Sequence, residues 1–215
     1  MLSNAAVRPL RSDAAKNRER LLKAAGRVFE EQGLEASVAD VARAAGVGMG
    51  TFYRRFPTKD ALIEALVTEV LAMTISMAKE AAGQPDGSGL EHFLEASSRY
   101  QAEHVGCLPR LWSADHELIR VARRLIADLL ADAKAHRRVR EDLTTTDISL
   151  ALWSIRGVLE TTSGAAPEAV RRHLDLLVAG MRPSKDKLPH RPVSQAQVDR
   201  ILSSSGAPRT TPSPC

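Results

Sequence analysis

The 215-residue chain is 44% hydrophobic and 26% charged, which supports one or two compact domains and excludes disorder throughout. Its most apolar stretch, 61–78, is broken by Glu64 and Glu69, and its first twelve residues lack a secretory apolar run, so a cytoplasmic protein with no membrane span is expected. Two distant cysteines, Cys107 and Cys215, argue against a disulfide framework, and 4% aromatics without strand-like alternation argue for an all-α fold.

The net charge of +4 is localised: residues 1–60 hold eleven Lys/Arg against seven Asp/Glu, and residues 61–215 hold nineteen of each. A basic end on a neutral body suggests an anionic partner at that end, nucleic acid first, with a solvated face as the bland alternative.

The first helix is expected from Asp13 to Gly33, with Leu21, Leu22, Ala25, Val28 and Phe29 on one stripe and Lys16, Arg18, Arg20, Lys23 and Arg27 opposite. Residues 1–12 read as a flexible arm in which Arg8 and Arg11 would reach a minor groove. SVAD at 37–40 has capping-box spacing and opens a second helix to about Ala45. Gly46-Val47-Gly48 is a turn, and Met49 to Phe56 form a third helix that Pro57 stops. Thr58 then caps a long helix from Lys59 to about Ala81, roughly 34 Å at 1.5 Å per residue.

Beyond the loop 83–89, Ser88 and Glu91 have capping-box spacing for a helix with Leu90, Phe93, Leu94 and Ser97 inward. Asp115 to His136 reads as an amphipathic helix. From Ile148 to Gly164 only Arg156 and Glu160 are charged, the mark of a buried helix, and Pro167 opens a last major helix closed by Pro183. The tail 183–215 holds six of the eleven prolines and reads as mostly disordered, with a short helix possible over 194–203.

The block 37–60, SVADVARAAGVGMGTFYRRFPTKD, resembles the DNA-binding domain of TetR-family transcriptional regulators over residues 13–62. The resemblance rests on the Ser-capped second helix, Ala-Gly-Val at the turn, Gly-Thr-Phe-Tyr in the recognition helix, and Phe-Pro-x-Lys after it. It implies a three-helix helix-turn-helix domain at 13–60 and a larger helical ligand-binding and dimerisation domain at 61–182. A recognition helix enters a major groove of about 12 Å width, so Met49, Gly50, Thr51 and Arg54 are the candidate base readers. Tyr53 and Arg55 match positions that usually grip phosphates in the family, and Lys59 stands at a helix N-terminus that favours an anion. Ser37 would add its hydroxyl or amide to a phosphate, and Arg43 is a weaker phosphate candidate. Two departures stand out: Gly48 replaces a capping Ser or Thr, losing a hydroxyl contact, and Arg55 replaces a frequent His.

In the larger domain the candidate pocket residues are Met73, Met77, Phe93, Tyr100, Trp112, His116, Trp153 and Arg156, although a Met or Trp on a helical stripe is core more often than ligand contact. Arg156 and Glu160 stand four apart and would pair, cross an interface or orient a ligand, with pairing the default. No cofactor, metal site or enzyme motif is expected. The reading is a homodimeric repressor, paired through helices near 147–163 and 167–182, that binds a palindromic double-stranded DNA operator and is released by an unidentified small-molecule effector. The alternatives are a helical small-molecule-binding protein or enzyme with a silent DNA-binding head, and a nucleoid-type protein indifferent to sequence.

Overall fold

The computed structural model describes residues 9–103, 117–162 and 165–204, which form nine α-helices and no strand. They are α1 (Pro9–Gln32), α2 (Val38–Ala44), α3 (Met49–Arg55), α4 (Lys59–Ala81), α5 (Gly89–Glu103), α6 (Glu117–Ala135), α7 (Thr145–Thr162), α8 (Pro167–Met181) and α9 (Gln195–Ser204). The chain divides into two compact units at Glu69/Val70, inside α4 rather than at Asp60.

In the first unit α1 packs on α2 and α2 on α3. The 3.6-residue stripe of α1 goes inward, with Leu21, Leu22, Ala25, Val28 and Phe29 buried, while Lys16, Arg18, Arg20, Lys23 and Arg27 are exposed. Helix α1 starts at Pro9, not Asp13, because proline suits a first helical turn, where its missing N–H costs nothing. Residues 9–12, and Arg11 with them, therefore belong to a helix rather than an arm, and Arg8 lies outside the described residues. Gly33, at φ 74°, and Gly46, at φ 65°, supply the left-handed residues that end α1 and turn the chain between α2 and α3.

In the second unit α5 packs against α6, α7 and α8, and α7 lies along α8. Phe93, Leu94, Leu129, Leu130 and Ile148 form its core with Ala78 and Ala81 from the end of α4. By length and composition α4 is apolar enough to cross a bilayer, but its Leu62, Leu66, Val67, Val70, Leu71, Ala78 and Ala81 are buried in the folded chain. Thr58 caps it, its Oγ1 accepting from the Ala61 amide at 3.0 Å.

Three features of this unit differ from the sequence pattern. The Ser88 hydroxyl donates to Asp86 Oδ1 at 2.5 Å, two residues back, and Glu91 pairs with Arg138 at 3.3 Å, 47 residues on, so other partners take both members of the expected capping box. Helix α7 is not buried all round among the described residues: Leu150 is exposed, as is Leu176 on the adjoining α8. The tail is tied down through residue 204. Arg140 donates to the Asp186 carbonyl at 2.5 Å, the Leu188 amide donates to Asp142 Oδ2 at 2.7 Å, and α9 buries Val198 and pairs Asp199 with Arg123 at 2.7 Å. Polar anchors and one buried valine thus hold a segment whose proline content suggested disorder.

Candidate nucleic-acid interface

Helix α3 is seven residues long, and its place is set by two rings. Phe52 is fully buried and Phe56 nearly so, with centroids 6.2 Å apart, and Phe52 meets Tyr53 edge-on at 5.4 Å. With Phe52 inward, the helix turns Met49, Gly50, Tyr53, Arg54 and Arg55 to solvent, while Thr51 is half-buried. Met49 and Tyr53 are two of the few large apolar side chains left exposed, at 37% and 49%. Four residues apart on one helix, they stand on the same side of α3, next to the cations Arg54 and Arg55 in sequence.

Gly48 caps α3 with extended backbone and no side-chain hydrogen bond, as its lack of a hydroxyl dictates. A Cβ at Gly50 would meet nothing within 4 Å, so the fold does not require glycine there. The missing side chain leaves room for something outside the chain to approach the backbone closely.

The start of α2 contrasts with this open face. The Ser37 hydroxyl donates to Asp40 Oδ2 at 2.6 Å, the Ser37 amide donates to the same oxygen at 3.2 Å, and the Asp40 amide donates back to Ser37 Oγ at 3.2 Å. Arg43 closes the cluster against Asp40 Oδ1 at 3.1 Å. The hydrogen bonds from Ser37 hold the Asp40 carboxyl below its usual range, with a smaller push from Arg43. Both donors that Ser37 would offer to a phosphate are therefore engaged by Asp40, and an incoming phosphate would have to displace that carboxylate. Lys59, half-buried at the start of α4, places its ammonium 5.9 Å from the ring centroid of buried Phe29, which fixes the side chain against α1.

The family model for bacterial regulatory proteins of the TetR family matches residues 21–66, which span the helices just described. A TetR transcriptional regulator of Streptomyces coelicolor is 32% identical, with the match covering 78% of this chain and 99% of that one at a TM-score of 0.55. The chain belongs to the TetR family of transcriptional regulators. A second structure, the TetR regulator from Mycobacterium vanbaalenii, is 30% identical over 81% of this chain and 99% of its own, with a TM-score of 0.54. The HTH-type transcriptional regulator YvdT of Bacillus subtilis is 42% identical over 62 residues, so this chain spans only 32% of that relative's length. Within this TetR chain, α2, the turn at Gly46 and α3 are the helix-turn-helix.

The residues suggested as pocket-lining have different fates. Phe93 is fully buried in the core of the second unit, and half-buried Met77 packs against that core. Met73 is exposed, and Tyr100 and Trp153 are half-buried. Arg156 Nε donates to Glu160 Oε1 at 2.7 Å along α7, the default pairing for two such residues one turn apart. Trp112 and His116 lie outside the described residues. Sequence reasoning missed a second polar contact on α7, between Ser154 Oγ and His173 Nε2 at 2.9 Å, because its partners come from different helices.

Proposed function

We propose that this protein is a sequence-specific, DNA-binding transcriptional repressor that acts as a homodimer in the cytoplasm and is released by a small-molecule effector. The observation that carries the reading is the exposed face of α3, where Met49, Gly50, Tyr53, Arg54 and Arg55 surround no acidic residue of their own helix and stand on a buried Phe52. Met49 suits a thymine methyl, Arg54 a guanine edge, and Gly50 close approach of backbone to the groove. Tyr53, Arg55 and Lys59 would hold phosphates and so set the register. Ser37 and Arg43, already satisfied by Asp40, contribute less.

Dimerisation through α7 and α8 is supported by exposed Leu150 and Leu176 beside half-buried Trp153, Val158, Leu174, Leu177 and Val178. A two-fold dimer reading successive major grooves needs its recognition helices about 34–36 Å apart, hence a palindromic operator. Helix α4 has its start in one unit and its end in the other, so an effector bound in the second unit would alter the helix separation through a continuous rod. A 100-fold fall in operator affinity requires about 2.7 kcal/mol of coupling.

Selection from random-sequence duplex DNA by the purified protein at about 150 mM salt, where phosphate contacts alone are weak, tests this reading. Recovery of a palindrome is expected, and recovery of no motif would refute it.

A further inference from the structure

The second unit is balanced in charge overall, but its cations are not evenly spread. Arg140 binds three places at once: its Nε donates to Asp142 Oδ1 at 2.6 Å, and its terminal nitrogen donates to Asp142 Oδ2 at 3.2 Å and to the Asp186 carbonyl at 2.5 Å. The Arg140 amide also donates to the Met181 carbonyl at 2.9 Å, and the Leu188 amide to Asp142 Oδ2 at 2.7 Å. These bonds staple the segment 182–191, which has no helix, onto the chain just past α6. Arg140 is itself 9% exposed, so opening the staple would strip a nearly buried guanidinium of its partners.

The staple uses backbone groups of the segment and leaves its side chains outward. Residues 182–192 are all exposed, among them Arg182, Lys185, Lys187, His190 and Arg191. Arg137, three residues before Arg140 in the chain and just past α6, is exposed as well, at φ 55°, a left-handed position where glycine is usual. None of these five Lys/Arg makes an ion pair among the described residues, whereas Arg138 is paired with Asp86 and Glu91. The opposing acids in the same stretch are Glu141 and Asp186, Asp142 being taken by Arg140.

We infer that the stapled segment 182–191, with Arg137, is a second anion-binding surface that takes the phosphate backbone of duplex DNA without regard to sequence. A solvated charged tail would be flexible. This segment instead carries Pro183 and Pro189 and two backbone anchors, so part of the backbone entropy of presenting its cations is already lost before a partner arrives. Its cations are long point charges and forks, the one hydroxyl among them, on Ser184, already accepts from the Asp186 amide at 3.1 Å, and Leu188 is the one large apolar side chain there, so no set of short groups at helical spacing is placed to read base edges. One exposed leucine is too little apolar area for stable insertion into a lipid surface. The choice of duplex DNA over other polyanions rests on the regulator reading above; the existence of the surface does not.

The test uses the full chain and a 60-base-pair duplex of scrambled sequence. The variant Arg182→Gln/Lys185→Gln/Lys187→Gln/Arg191→Gln should bind it at least about tenfold more weakly at roughly 50 mM salt, with the salt slope reduced by about 2 to 4. The motif recovered from random DNA should be the same as for the unaltered protein, and Lys185→Arg/Lys187→Arg should bind as the unaltered protein does. Unchanged affinity and slope would overturn the proposal, as would loss of binding in the Lys→Arg variant. Binding of the unaltered protein, but not the quadruple variant, to phosphatidylglycerol vesicles with the DNA slope unchanged would overturn it in favour of a lipid surface. Failure to recover any motif while the quadruple variant still lowers the slope would refute the reader on α3 and leave the stapled surface standing.

Discussion

Among the exposed cations of the described residues, those on α3 and those on the stapled segment 182–191 are built differently. On α3 the cations Arg54 and Arg55 share a rigid turn of helix with Met49, Gly50 and Thr51, and the whole face is set by Phe52 beneath it. On 182–191 the cations stand on non-helical chain held by Arg140 and Asp142, with only Leu188 as a large apolar neighbour. Charge would give affinity for phosphate in both places. Discrimination between bases needs short groups at fixed spacing beside the charge, and α3 supplies them.

Removing what holds α3 should break this contrast most completely. Phe52→Ala empties the fully buried site and should cost about 3–5 kcal/mol, by chemical denaturation of the first unit. Selection by this variant should yield no motif while binding to scrambled duplex persists through the stapled segment. A smaller change sharpens the comparison: Met49→Ala leaves the core intact and should alter base preference, at about 1–3 kcal/mol per lost contact, as read by competition between operator variants. Lys59→Ala should weaken operator and scrambled duplex alike.

Acid should loosen the stapled segment. The Arg140 guanidinium, then the Leu188 amide, hold the Asp142 carboxyl down at about 2, against an ordinary Asp value near 3.9. A depressed carboxyl stabilises the fold fully above its unfolded value and loses that contribution as pH falls toward its folded one. Amide exchange at Leu188 should therefore quicken, relative to the intrinsic rate, between about pH 4 and pH 2, and Asp142→Asn should show the faster exchange already at neutral pH.

Smaller effects test the glycines. Gly50→Ala has room and better helix propensity, so thermal stability should rise by up to about 0.5 kcal/mol while operator affinity falls. An affinity that rose with stability would remove Gly50 from the interface. Gly48→Ser supplies the missing cap on extended backbone that any residue adopts, and should stabilise α3 by only about 0.3 kcal/mol.

The head was legible in the sequence because its determinants are local. Ser37 and Asp40, Thr58 and Ala61, and Phe52 and Phe56 act within four residues, where spacing alone specifies the contact. The same logic misread Ser88 and Glu91, since Asp86 and Arg138 compete for them from outside the pattern. Contacts such as Arg123 with Asp199, 76 residues apart, and Arg140 with Asp186, 46 apart, leave no periodic trace, so the order of 183–193 was hidden behind its prolines, while the short helix expected over 194–203 was legible and is α9. The candidate pocket was least legible, because a buried Phe93 serving the core and one lining a cavity have the same pattern.

The most direct test of the account is paired selection from random duplex DNA by the unaltered protein and by Met49→Ala. The account predicts a palindrome from both, differing at the same one or two base pairs in each half-site. Identical motifs, or no motif from the unaltered protein, would contradict the claim that the exposed face of α3 reads the sequence.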